Sequence, residues 1–214
     1  MGSLMEPVPR HQCLIYEGPP SRHLKALAAV TRDKLAQNRR CLYLNSKPMV
    51  AGMRSYLAAT GIDVEKAILK GKLILISEQR HLVNGRFDAG QMMLMLEEAL
   101  AAALRDGYAG LWATGDMTWE MGPERDFLKL VEYEWRLEKF FAGHPQLGGI
   151  CQYHASTVPR EMMRQGLIVH PSIFINETLS LINPHYVRHE AFSPAMENNP
   201  RLETALTQLL QPQD

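Results

Sequence analysis

The sequence predicts an α/β domain with a mainly parallel central sheet flanked by helices. Three observations carry this prediction. Short apolar runs alternate with longer amphipathic stretches, the pattern of parallel strands joined by crossover helices. One run, LILIS (Leu73 to Ser77), is continuously apolar, which suits a strand buried on both faces. The chain has 214 residues, 46% of them hydrophobic, enough for one ordinary domain with a real core.

Taken in order, HQCLIY (His11 to Tyr16) is the first strand, followed by a Gly-Pro-Pro turn. Ser21 is placed to N-cap a helix carrying Leu24, Leu27, Ala28 and Leu35 on one face. CLYL (Cys41 to Leu44) is the second strand, Met49 to Ala59 a helix, and LILIS the third strand. Asp88 and Gln91 make a capping-box-like start for a helix running from Gln91 to Arg105. GLWATGD is a strand ending at Asp116, Glu124 to Phe141 a helix, and GGICQY (Gly148 to Tyr153) a fifth strand. Pro159 opens a short helix, and IFINETLSLIN reads as one or two further strands, in a hairpin arrangement at the sheet edge. The organisation is an N-terminal extension over 1–9, one domain over 10–190, and a polar tail over 191–214 with a short amphipathic helix around Leu202 to Leu210.

Composition excludes several function classes. The 23 Lys+Arg balance 23 Asp+Glu, so the basic surface needed for non-specific nucleic-acid binding is missing. No apolar run approaches the roughly 18 residues of a membrane span, and the N-terminus lacks the apolar core of a secretion signal. The expectation is a cytoplasmic protein, and three cysteines fit a reducing compartment.

The turn after the first strand is where a P-loop would sit. Such a loop needs a second Gly, a Lys and a Ser/Thr so that backbone amides and charge can hold phosphates and Mg²⁺. Counting from Gly18, His23 stands at the second Gly, Leu24 at the Lys and Lys25 at the Ser/Thr, while Pro19 and Pro20 remove amide donors. An anion could still meet the helix N-terminus beside Arg22. ATP hydrolysis by this loop is not expected.

The segments HQCLIYEG, CLYL, GIDVEKAILKGKLILIS, LVNGRFD, GDMTW, YEWRLEKFF, CQY and HP follow one another in that order. Together they resemble the MEDS domain, a sensory module named for methanogens, methylotrophs and the DcmR regulator of dichloromethane metabolism, over about residues 10 to 187. CLYL through LILIS also resembles the KaiC/RecA-like ATPases. The resemblance implies a three-layer RecA/KaiC-like domain with a degenerate P-loop position. It also implies a sensory role toward small hydrocarbon derivatives. One departure is His154, where the family's usual residue after C-Q-Y is acidic. The remaining residues leave no room for a kinase or helix-turn-helix output domain, so the signal is expected to pass to a partner, a sensor kinase or transcription regulator.

Individual residues were weighed against plainer roles. Glu134 lies between Leu130 and Leu137 on the apolar stripe that also carries Phe127 and Phe141, so its carboxylate must find donors or be protonated. It joins a pocket network, or the helix rotates enough to bring it to solvent, or it pairs structurally with an Arg. Asp116 ends a strand on the carboxyl edge of the sheet, where α/β proteins bind ligands, and either caps the next turn or reaches that pocket. Met117 and Trp119 are candidates for its apolar wall or for simple packing. His11 and Cys13 share a strand face, and with Cys151 and His154 they offer four soft ligands. Cys151 and His154 are three apart and fall on opposite faces of an extended strand, so no metal and no cofactor is expected. Tyr16, Tyr153 and His170 complete the candidate ligand-binding set of His11, Cys13, Tyr16, Arg22, Asp116, Trp119, Glu134, Cys151, Tyr153 and His170. Met92, Met93 and Met95 read as core or as a subunit interface, which leaves a homodimer open. No nucleophile motif occurs, so catalysis is not expected. The rival reading is a residual nucleotide-binding or metal-dependent hydrolase of RecA-like fold, and a third is a scaffold with a filled core.

Overall fold

The computed structural model describes residues 10–211. Its elements are β1 (His11–Tyr16), a 3₁₀ turn (Pro20–His23), α1 (Leu24–Ala36), β2 (Arg40–Leu44), α2 (Lys47–Ala59), α3 (Val64–Leu69), β3 (Leu73–Ile76), β4 (Leu82–Val83) and β5 (Arg86–Phe87). They continue with α4 (Ala89–Arg105), β6 (Leu111–Asp116), α5 (Met117–Glu120), α6 (Phe127–Gly143), β7 (Leu147–His154), α7 (Arg160–Val169), β8 (Ser172–Asn176), β9 (Leu179–Ile182) and α8 (Pro200–Leu210). Residues 1–9, read as an extension, lie outside the described residues.

A seven-stranded sheet runs β3-β2-β6-β7-β1-β8-β9, parallel throughout except for the antiparallel pair β8–β9. This is the mainly parallel sheet flanked by helices that the sequence predicts. Side-chain alternation splits the core in two. His11, Cys13 and Ile15 face α4, α6 and α7, together with Leu42, Cys151 and Tyr153. Leu14, Tyr16, Cys41, Tyr43 and Ile150 face α1 and α2. The Met92–Met93 pair belongs to the first of these cores and is buried there.

Local chemistry accounts for most boundaries. Asp88 caps α4 by accepting from the Gln91 N–H at 2.8 Å, as the capping-box spacing predicts. Pro159 sits at the N-cap of α7, and Asn199 caps α8 by accepting from Arg201 N–H. Ser21, by contrast, does not cap a helix. The two prolines draw the chain into a 3₁₀ turn, and α1 begins only at Leu24 behind His23, without a side-chain cap. LILIS also differs from expectation. It forms the edge strand β3, and its Ile74, Leu75 and Ile76 are half-buried. An apolar run reports covered faces but says nothing about whether the strand has two neighbours. The helix expected from Glu124 starts at Phe127, after Arg125 takes a left-handed φ of 48°. The β4–β5 hairpin turns on Asn84 (φ 52°) and Gly85 (φ 77°), the positive-φ pair that Asn-Gly favours. The tail helix α8 is amphipathic and buries Leu202 and Leu206 in the core shared with α7.

The centre of the sheet leaves no space for a side chain at Gly149. A Cβ there would lie 2.2 Å from the Ala113 carbonyl oxygen of the neighbouring strand β6. Gly149→Ala is expected to lower stability by about 1–3 kcal/mol, read from urea unfolding, because overpacking must move backbone. Gly143→Ala at the open end of α6 meets nothing within 4 Å and is expected to change stability by less than about 0.5 kcal/mol.

Candidate functional site

Helix α6 presents two acids to the sheet rather than to water. Leu130, Leu137 and Phe141 anchor its inner face, and the same face carries Glu134 (2% exposed) and, one turn on, Glu138 (8% exposed). The acids are buried because the apolar stripe buries everything on its line. Opposite them lie His11 on β1 and Cys151 and Tyr153 on β7, strands paired in register with Cys13 beside Cys151. His170 arrives from the junction of α7 and β8. The following Pro171 biases it to extended backbone (φ −95°, ψ 121°) and ends the helix there.

These side chains meet in one cluster. Tyr153 Oη donates to Glu134 Oε1. Glu134 Oε2 lies 3.8 Å from His11 Nε2 and 3.5 Å from His170 Nε2. Cys151 Sγ is 3.6 Å from His11 Nε2. The other nitrogen of each imidazole is tied from behind. His11 Nδ1 contacts Glu138 Oε2 at 2.7 Å, and Tyr186 Oη donates to Glu138 Oε1 at 2.6 Å. His170 Nδ1 donates to the Gly166 carbonyl at 2.8 Å. Since a carbonyl only accepts, a neutral His170 must point the Nε2 lone pair into the cluster. Stacking of Phe141 on His11 at 4.3 Å between ring centres fixes the other imidazole. Neither Glu134 Oε2 nor His170 Nε2 has a hydrogen-bond partner among the described residues.

Burial suppresses charge throughout this cluster. It pushes Glu134 up to about 8 and His11 down to about 3, and it drives His170 well below its ordinary value. Burial likewise raises the thiols of Cys13 and Cys151. The approaches of His11 and His170 to Glu134 are therefore contacts between neutral groups near pH 7, not ion pairs.

Glu134 also neighbours a second buried acid. Glu120 (1% exposed), at the end of α5, is raised by burial first and then by Glu134 and Asp116. Tyr133 hydrogen-bonds Glu120, and the carboxylate occupies space that only a glycine at 115 leaves open. Asp116, Glu120 and Glu134 thus lead inward from the sheet edge.

Clefts open at the carboxyl ends of the strands, and two of them hold candidate residues. One, of about 690 Å³, is lined by Asp116, Trp119, Met49, Asn45, Arg125 and His154. Asp116 both caps α5, accepting from the Trp119 N–H at 2.7 Å, and faces this cleft. The other, of about 540 Å³, lies beside the first turn and is lined by Tyr16, Arg22, His23, Lys25, Phe174 and Leu210.

The candidate residues thus fall into three places. His11, Glu134, Cys151, Tyr153 and His170 come together under α6, and Asp116 and Trp119 line one cleft while Tyr16 and Arg22 line the other. Cys13 shares the face of His11, but its thiol turns to the Ser172 carbonyl at 3.8 Å. The His11, Cys13, Cys151, His154 quartet does not assemble. His154 leaves the opposite side of β7, where its Nε2 meets the Gly18 carbonyl at 2.9 Å and its ring stacks near Tyr16. Glu138, Glu120, Tyr133 and Tyr186 were missed by sequence reasoning. Glu138 was recoverable, being four residues beyond Glu134 on the same helix face. Tyr186 was not, because no local pattern places it.

The order of parallel strands and the two-sided helical cover define a RecA/KaiC-like α/β fold. The same architecture occurs in the KaiC-like protein PH0186 of the hyperthermophilic archaeon Pyrococcus horikoshii OT3, which is similar over 78% of this chain and 72% of its own, at 14% identity and a TM-score of 0.53. No curated protein matches the chain. The model of the MEDS family, the methanogen/methylotroph, DcmR sensory domain, matches residues 10–171, and the chain belongs to that family of sensory domains.

Removing the Tyr153 hydroxyl that donates to Glu134 Oε1 tests the network. Tyr153→Phe leaves a buried carboxyl oxygen without its partner and is expected to cost about 1–3 kcal/mol of unfolding free energy. Tyr56→Phe on the exposed face of α2 serves as the control, with an expected change below about 0.5 kcal/mol.

Proposed function

We propose that the chain is a non-catalytic sensor that binds a small organic molecule, a hydrocarbon derivative, at the carboxyl edge of its sheet and signals through a partner protein. The observation that carries this reading is the chemistry of the first turn. It supplies Pro19, Pro20 and His23, and places buried Leu24 at the position from which a lysine would grip a phosphate. A degenerate P-loop site of this kind supports ligand sensing without hydrolysis. Membership of a sensory family supports the same conclusion.

The cleft beside Asp116 suits such a ligand. Trp119 and Met49 provide soft apolar wall, and Asp116 and Asn45 provide a few fixed polar groups. The neighbouring acids Glu120 and Glu134 give an occupant of this cleft a physical route to α6, since moving one buried acid changes the field on the next. Among the described residues no helix is long and apolar enough to cross a membrane.

One observation favours the rival reading that nucleotide binding persists. Arg22 and Lys25 both line the cleft beside the first turn, where an anion would find positive charge. Thermal unfolding separates the two. Dichloromethane and short alcohols, each titrated against the full chain, are expected to raise the midpoint for at least one compound, corresponding to about 2.7 kcal/mol of added stability at a hundredfold excess over Kd. Magnesium-ATP is expected to leave it unchanged. Magnesium-dependent stabilisation by ATP, with none from the organic probes, overturns the proposal.

A further inference from the structure

We infer that His11 Nε2, Glu134 Oε2, Cys151 Sγ and His170 Nε2 form a closed binding site for one divalent transition-metal ion of the zinc type. The four donor atoms lie within 4.8 Å of one another and every residue that supplies them is buried. Zinc bonds nitrogen, oxygen and sulfur at about 2.0–2.3 Å, so a tetrahedron of these donors has edges of about 3.3–3.8 Å. The observed separations of 3.5, 3.6 and 3.8 Å for His170–Glu134, Cys151–His11 and His11–Glu134 already have that size.

Three further features distinguish this arrangement from an incidental polar pocket. Two of the donors, Glu134 Oε2 and His170 Nε2, have no hydrogen-bond partner although both are fully enclosed, and both aim into the shared centre. A native core does not usually leave two polar atoms in that state. Each imidazole is also held from behind through Nδ1, His11 by Glu138 and His170 by the Gly166 carbonyl. That support orients a metal-binding histidine, fixes its tautomer and raises its basicity. Finally, the charges close. One thiolate and one carboxylate neutralise a divalent ion, and two neutral imidazoles complete the shell, so an occupied site carries no net charge into the core.

Binding makes four metal–ligand bonds and breaks the S–H bond of Cys151 and the O–H bond of any protonated Glu134. Both protons go to solvent, and no electron is transferred. With four protein donors the shell is complete and leaves no coordination position for a substrate, as in structural rather than catalytic zinc sites. The assignment goes beyond the sensory reading and does not depend on it. A metal-free result would leave the ligand titrations above untouched.

The test uses the full chain purified without a histidine tag. Because the donors are sealed, Co²⁺ or Zn²⁺ is supplied both to the native protein and during refolding from denaturant. The expected result is one equivalent of metal by mass spectrometry, with a cobalt spectrum showing thiolate-to-metal charge transfer and the strong visible bands of tetrahedral coordination. X-ray absorption of the zinc form is expected to give one sulfur near 2.3 Å and three lighter ligands. Cys151→Ser should abolish the charge-transfer band, and His170→Gln should weaken binding about a hundredfold or more. Cys41→Ser, on the opposite face of the sheet, should retain the band at full intensity. Should a site variant fail to fold, the wild-type cobalt and absorption spectra decide alone. Protein that holds less than a tenth of an equivalent after both treatments, or cobalt in a six-coordinate, sulfur-free environment, overturns the assignment.

Discussion

Enclosing Glu134 beneath α6 is the constraint on which the rest of this molecule depends. A carboxyl group there has lost its water and must be neutral, hydrogen-bonded or shared with another charge. Tyr153, His11, Cys151 and His170 are what the fold supplies, and they come from two strands and a helix end far apart in sequence. The supply holds only because β1 and β7 are fixed in register with Cys13 beside Cys151. A slip of one residue would send Cys151 and Tyr153 to the α1 side of the sheet and leave Glu134 against bare hydrocarbon. Sheet register and the polar cluster therefore specify each other.

Much of this was legible in the sequence, for reasons that differ by element. The apolar runs and caps marked most of the strands and helices because strand alternation and capping are local chemistry. Asp88, Pro159 and the Leu202–Leu210 helix act through near neighbours. The stripe of α6 identified Glu134 because helix period alone fixes which residues share a face. What was not legible depended on long-range assembly. Nothing near LILIS says that it closes the sheet at one edge, and nothing near His170 or Tyr186 says that they meet α6. The placing of the soft side chains shows the same division between local and long-range information. Alternation along β1 and β7 places His11 and Cys151 together and His154 apart, whereas Glu134 and His170, which join the first two, come from elements whose packing is not written locally.

Strand β7 connects the two regions that bear on function. Its inward residues Cys151 and Tyr153 belong to the enclosed cluster, whereas His154 at its end belongs to the cleft rim with Asp116. Asp116 and Glu120 complete the connection from the other side, through α5. The enclosed cluster and the cleft rim thus meet on one stretch of the sheet.

The position of β1 also has a bearing on biosynthesis. Strand β1 is an interior one, hydrogen-bonded on one side to β7 and on the other to β8, and it is synthesised well before either neighbour. During translation its apolar segment CLIY must wait, unpaired, while more than a hundred residues follow it, because β7 begins only at Leu147 and β8 at Ser172. His11 is likewise the earliest of the cluster residues to be made and His170 the last. A nascent chain stalled before Leu147 would expose a strand with nothing to dock against, so chaperone shielding and the pace of elongation bear directly on whether the centre of this protein ever closes.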